Sequence, residues 1–75
     1  MKKVIVNGRA CRVTSFDGRR IDPGIVIGQL EGRRVYRVLC LDGDDVIARN
    51  VRHENILEAF RKSEVLNEFG IVEAI

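Results

Sequence analysis

Arginine is the residue type in this sequence with the clearest binding chemistry. Ten of the thirteen basic residues are arginine, and residues 1–41 carry nine basic against three acidic side chains, a net charge of +6. Residues 42–75 carry −4, so the whole chain is +2. A guanidinium group matches phosphate or carboxylate through two parallel hydrogen bonds, so the bias indicates a binding role. A GC-rich genome produces the same bias, and that origin stays open.

Six arginines are the candidates for contact with nucleic-acid phosphates: Arg12, Arg19, Arg20, Arg33, Arg34 and Arg37. On turns and an exposed strand they would neutralise phosphates and release counterions, which gives electrostatic binding with weak sequence specificity. Tyr36 and Phe16 are the candidate platforms for base stacking. The alternative interpretation is a solvated charged face. Our first hypothesis is therefore association with nucleic acid or a nucleoprotein complex.

Catalytic and metal chemistry has little support. Cys11 and Cys40 have no CxxC spacing, and the single histidine, His53, does not complete a zinc site with them. Cys40 and His53 could form a nucleophile–base pair, but Cys40 lies within an apolar run. A calcium loop starting at Asp42 would need glutamate at its twelfth position, where His53 stands. We predict no enzyme, no cofactor and no metal, with buried free thiols in the cytoplasm; a disulfide is the alternative.

Turn dipeptides divide the first two thirds of the chain into β-strands. The signals are Asn7-Gly8, Asp17-Gly18, Asp22-Pro23-Gly24 and Asp42-Gly43, with a weaker, longer turn at Glu31-Gly32. They predict strands at 2–6, 9–16, 25–30, 35–41 and 46–51. Strands at this spacing are typical of a barrel or sandwich. Both faces of 35–51 are largely apolar, so the sheet curls on itself or is covered by the chain termini.

The position of the arginines depends on the order of these strands. A simple up-and-down meander would bring Arg19, Arg20, Arg33 and Arg34 together at one end. One long loop over residues 17–24 would break that arrangement. The segments VTSFDGRRI (13–21) and IGQLEGRRV (27–35) align without gaps, through either a duplication or shared turn chemistry.

The strand register after Asp42-Gly43 has two alternatives. A two-residue turn at Asp42-Gly43 puts Val38 on one face with Ile47, and Ala48 on the other. Asp44-Asp45 leaves a slip of this register open.

The last third changes character from strand to helix formers. We predict a helical turn at 53–56, a short strand at 57–60, and a helix capped by Ser63 that runs to Phe69, with Gly70 after its end. Residues 71–75 are an apolar tail. This tail is either a last strand beside residues 2–6 or a contact with a second subunit.

The central pattern resembles SH3-like small barrels of the Tudor/KOW type. The resemblance covers residues 10–60 and rests on Gly24-Ile25-Val26-Ile27, Tyr36-Arg37-Val38, Leu41-Asp42-Gly43-Asp44, Val51 and Ile56. It implies a mainly β fold of about five antiparallel strands, to which an N-terminal hairpin and a short C-terminal helix are added. Methyl-lysine readers of this fold use an aromatic cage. This chain has no Trp, and Phe60 and Phe69 look like packing residues, so no cage is expected.

The second hypothesis is a protein-interaction module. Seventy-five residues make one domain, 1–75, and no run is long enough to cross a membrane. A small barrel with a basic half, an acidic half and an apolar tail could dock on a larger protein through a sheet edge or residues 71–75. Accessory or inhibitor subunits of this kind are encoded by phages and plasmids. The same residues could join copies into a homo-oligomer.

Overall fold

The computed structural model describes residues 2–75 as seven β-strands and one helix. In chain order these are β1 (Lys2–Val6), β2 (Arg9–Ser15), β3 (Val26–Gln29), β4 (Val35–Asp42), β5 (Asp45–Asn50), β6 (Leu57–Arg61), α1 (Lys62–Glu68) and β7 (Phe69–Ala74). The strands form one curled antiparallel sheet in the order β1-β2-β7-β3-β4-β5-β6. The mainly β, barrel-like class predicted from sequence is confirmed, with seven strands instead of about five.

The apolar tail forms the central strand of the sheet. β7 pairs with β2 on one side, where Val72 faces Val13, and with β3 on the other, where Ile71 faces Ile27. The tail is thus a strand, as one alternative had it, but it does not lie beside β1. Of the two alternatives for residues 17–24, the long loop is formed and the meander is not, because β2 and β3 are not neighbours. Side chains on both faces of β7 are shielded, since Ile71 is buried and Val72 half-buried, as is typical of a central strand with a continuous apolar run.

The main core lies inside the curl, under α1. Its buried members come from the strands, from α1 and from the connection between β2 and β3, and are Phe16, Ile21, Ile27, Tyr36, Val38, Val46, Ala48, Val65, Phe69 and Ile71. Residues 16–25 form that long connection. Its end is tied to β4, because Gly24 N–H donates to Val38 O at 2.8 Å and Val38 N–H to Ile25 O at 2.9 Å. The end of the connection thereby continues the pairing of β3 with β4.

Two glycines allow the strands to approach closely at the centre of the sheet. Gly28 of β3 and Gly70 of β7 are directly opposite each other, and Ser15 of β2 faces Gly70 from the other side. A Cβ on Gly70 would overlap the Thr14 carbonyl. Backbone groups occupy the volume of a side chain here, so only glycine fits without a shift of β2 or β7.

Two of the predicted turn dipeptides have the expected backbone. Asn7 and Gly8 both have positive φ, as a type I′ turn requires, and Asp17 and Gly18 do as well. Glu31-Gly32 lies in a longer loop, as predicted, with neither residue at positive φ. The two GRR segments therefore adopt different conformations.

The β4–β5 hairpin has the slipped register. Asp42 faces Asp45, so Gly43 and Asp44 form the turn, with positive φ at Gly43. A bulge between Val38 and Cys40 then shifts the register by one residue. As a result, Cys40 faces Ile47 and Val38 faces Ala48. Val38 and Ala48 are consequently both buried on the core side, whereas the two-residue turn at Asp42-Gly43 would have separated them.

The last third follows the prediction except at the helix ends. Ile56 N–H donates to His53 O at 2.9 Å in a single turn, and β6 follows. The helix begins at Lys62 without a side-chain cap, so Ser63 is not the N-cap. Gly70 lies in β7 instead of ending the helix. At the helix end, Leu30 N–H from the β3–β4 loop donates to Glu68 O at 3.0 Å. This hydrogen bond satisfies one of the last carbonyls of the helix, in place of the glycine cap predicted at Gly70.

Candidate functional site

The six candidate arginines occupy three separate places. Arg12, Arg19 and Arg20 lie on β2 and the connection after it, Arg33 and Arg34 on the β3–β4 loop, and Arg37 on the outer face of β4. None of the five clearest clefts among residues 2–75 is lined by members of more than one of these groups. The convergence of Arg19-Arg20 with Arg33-Arg34 is not formed, because residues 16–25 are one long connection.

The first group is the centre of a basic surface that we call the arginine arc: Lys3, Arg12, Arg19, Arg20 and Lys62. Arg12 of β2 faces Lys3 of β1 on one side and Glu73 of β7 on the other. Like charges directly opposite each other on a sheet are destabilising. Lys3 and Arg12 thus create a local excess of positive charge that one carboxylate does not fully offset.

Arg19 is held in place by the turn before it. The Asp17-Gly18 turn reverses the chain, with Arg19 N–H donating to Phe16 O at 2.9 Å. Its guanidinium then reaches back over β2, where Nη2 donates to Thr14 Oγ1 at 3.3 Å and Nη1 lies 3.8 Å from Glu73 Oε2. A guanidinium has five N–H donors, so others stay open for a ligand.

Two clefts meet at Arg19. The first has a volume of about 580 Å³; Arg12, Thr14 and Ser15 contribute to its walls, and so do the carboxylates of Asp17 and Glu73. The second is lined by Arg19, Arg20 and Lys62. Arg20 is almost fully exposed and lies 3.9 Å from Asp22. Because Arg19 belongs to both clefts, the arc is continuous from Arg12 to Lys62.

Arg34 lies in an acidic setting. A third cleft, of about 480 Å³, is lined by Arg34, Tyr36 and four glutamates, which are Glu31, Glu58, Glu64 and Glu68. The Tyr36 hydroxyl donates to Glu58 Oε2 at 3.1 Å. Burial raises the pKa of Tyr36, and Glu58 raises it further while Arg34 lowers it. A phosphate would meet more carboxylate than guanidinium here, so Arg34 does not extend the arc.

Arg37 belongs to the opposite face of the sheet. It faces Arg49 across β4 and β5, and its Nη1 donates to Gly24 O at 3.3 Å. Together with Arg9 it lines a groove of about 420 Å³. Arg37 is therefore not part of the arc.

The sequence prediction missed several basic residues of these surfaces. Lys3, Arg9, Arg49 and Lys62 were not among the candidates. The pairing of Lys3 with Arg12 could have been found, because a two-residue turn at Asn7-Gly8 sets that register. The placement of Arg49 opposite Arg37 depends on the bulge in β4, and no sequence signal predicts that bulge.

The cysteines and aromatic rings are only partly where the sequence places them. Cys11 is buried as predicted, but Cys40 is exposed next to the bulge, and both are free thiols. Phe60 and Phe69 pack against Tyr36 with ring centroids 5.0 and 6.0 Å away, so their role as packing residues is confirmed. In the part of the chain that the structure describes, no cluster of three metal-binding side chains is found. The short helix of residues 2–75 is not one that could cross a membrane.

No protein-family model, no curated protein and no solved structure matches this chain.

Proposed function

We propose that this protein associates with nucleic acid, alone or within a nucleoprotein complex, through phosphate contacts on the arginine arc. The observation that carries the proposal is the run of basic side chains around two adjoining clefts. The first holds Arg12 and Arg19 with the hydroxyls of Thr14 and Ser15, beside the carboxylates of Asp17 and Glu73. The second holds Arg19, Arg20 and Lys62, and no Asp or Glu among the described residues lines it. Guanidinium and hydroxyl groups are the side chains that most often contact the phosphate backbone.

The ion pairs within the arc do not prevent this binding. Arg19–Glu73 and Arg20–Asp22 are separated by 3.8 and 3.9 Å, and all four side chains are at least 49% exposed. Exposed pairs of this kind contribute about 0–1 kcal/mol. A phosphate can therefore replace either carboxylate as the partner of the arginine at little energetic cost.

Recognition on the arc is expected to follow the backbone and not the bases. Both candidate stacking platforms, Tyr36 and Phe16, are at most 2% exposed. Stacking needs an accessible ring face. Binding should consequently vary little with sequence and should weaken steeply with salt, since each neutralised duplex phosphate contributes about −0.9 to the slope of log K against log salt.

The test compares two double variants with equal loss of charge. Labelled duplex DNA, single-stranded DNA and RNA are titrated with wild-type protein, with Arg19→Gln/Arg20→Gln, and with Arg33→Gln/Arg34→Gln at low and moderate salt. We expect salt-sensitive binding that falls about tenfold or more in the first variant, because two charge-assisted contacts are lost. The second should bind almost as wild type does, because Arg34 is surrounded by glutamates.

Two results would contradict the proposal. The first is no binding of any of the three nucleic acids at low salt. The second is an equal loss of binding in both double variants, which would show a response to net charge with no contribution from the arc.

A further inference from the structure

A groove on the sheet face opposite the arc has a different chemistry. It crosses β2, β7, β3 and β4 and has a volume of about 420 Å³. Val6, Cys11, Val26 and Val72 contribute its apolar floor, and Arg9 and Arg37 stand on its walls. A volume of this size is within the range of small ligand sites.

The groove is positively charged without compensation. Among residues 2–75, no Asp or Glu lines it, and neither Arg9 nor Arg37 forms an ion pair. Arg49 faces Arg37 across the β4–β5 hairpin and adds a third guanidinium to this side of the sheet. Such a like-charge pair costs stability in the free protein, and an anion bound beside it would offset that cost.

The floor decides which anion fits. Its side chains are aliphatic, apart from the Cys11 thiol, and no ring among the described residues lines it for a base to stack on. Its walls offer no serine or threonine hydroxyl, in contrast to the cleft beside Arg19. Guanidinium groups bind carboxylates and phosphates alike in a bidentate manner, so it is the aliphatic floor that favours an aliphatic body carrying carboxylates over a nucleotide.

We propose that this groove binds an extended acidic and aliphatic segment of a partner protein. Aliphatic side chains of that segment lie on the valine floor, and its carboxylates bind Arg9 and Arg37. This site is separate from the arc and does not depend on nucleic-acid binding. It includes Val72 and Ala74 of the 71–75 segment, which the sequence suggested for contact with proteins, but it lies on the face of the sheet and not at its edge.

The probe for this site is a labelled peptide of alternating leucine and glutamate. Fluorescence anisotropy is measured with the wild type, with Arg9→Gln/Arg37→Gln, and with the arc variant Arg19→Gln/Arg20→Gln, which has the same net charge. Arg9 and Arg37 are exposed, so their replacement should leave the fold intact. We expect the groove variant to bind the peptide with an affinity reduced about tenfold or more. The arc variant should bind the peptide with the affinity of the wild type.

A second pair of measurements tests the floor. Val26→Thr replaces a half-buried floor side chain by a polar one of similar shape. It should bind the glutamate peptide more weakly than the wild type does, because apolar contact with the floor is lost. A matched peptide of leucine and glutamine should bind poorly to the wild type.

The proposal is overturned by any of three results. One is equal binding of the glutamate and glutamine peptides. Another is equal loss of peptide binding in the groove and arc variants. The third is that the protein does not bind the peptide but binds dodecanoate or an oligonucleotide, with an affinity that falls in Arg9→Gln/Arg37→Gln. Loss of oligonucleotide binding in the arc variant alone would leave the groove proposal standing, so the two functions fail independently.

Discussion

The pKa of the Tyr36 phenol reports on the burial of this side chain in the core. Tyr36 is the only tyrosine, and the chain has no tryptophan. Burial, its largest influence, raises the pKa of Tyr36 above the ordinary value of 10.0. The folded chain therefore holds the phenolic proton more tightly than the unfolded chain does. The neutral phenol therefore contributes to the free energy of unfolding at neutral pH. This contribution is lost as the pH rises above 10.0 and through the higher pKa of Tyr36 in the folded chain.

The measurement is ultraviolet absorbance of tyrosinate against pH, together with urea unfolding of wild type and Tyr36→Phe. We expect the folded protein to ionise at higher pH than the urea-unfolded chain. The stability of the wild type should fall more steeply than that of Tyr36→Phe on the alkaline side. Coincident titrations of folded and unfolded chains would show that the ring is not shielded.

Lys2 shows how a charge counted in the sequence can have a structural role. Its ammonium group donates to Gln29 O at 3.2 Å, to Leu30 O at 3.5 Å and to Gly32 O. These contacts tie β1 to the β3–β4 loop, far from it in the sequence. The +6 of residues 1–41 is accordingly not all available for binding.

At the scale of strands, the close approach of β7 to β2 gives the sharpest prediction. Gly70→Ala places a methyl group against the Thr14 carbonyl and the Val13 side chain. Overpacking of this kind costs about 1–3 kcal/mol. Urea unfolding should show that loss of stability. Ser15→Ala, at the residue directly opposite Gly70, is the control and should change stability by about 0.5 kcal/mol or less. Equal stability of Gly70→Ala and wild type would mean that the strands can separate without cost.

The sequence predicted two turns correctly from local signals, whereas the equally local Asp42-Gly43 signal placed its turn one residue too early. Asn7-Gly8 and Asp17-Gly18 set their turns because few residue pairs tolerate two positive φ angles. The position of β7 and the bulge after Val38 depend on contacts between distant parts of the chain, and no local pattern encodes them. The arginine arc was predicted in part, through Arg12, Arg19 and Arg20. Lys62 joins it, and Glu73 lies beside it, only because α1 and β7 return to the first half of the chain.

On the scale of the whole molecule, charge is arranged by surface and not by halves of the sequence. The arc, the groove with Arg9 and Arg37, and the cleft with four glutamates lie in three different places. The +6 and −4 halves are interleaved by the sheet order. A charge count along the sequence therefore describes neither the strength nor the location of the field around this protein.

The central place of β7 also governs how the protein folds. Without it, the sheet is two separate pieces, β1-β2 and β3-β4-β5-β6. Pairings between ends of a chain close large loops and form slowly. We expect native-state hydrogen exchange to show the amides of β7 opening only in global unfolding, and faster exchange of β7 than of β5 would contradict this. Neither piece of the sheet is therefore expected to persist once β7 has left, so that this single strand makes the unfolding of the molecule cooperative.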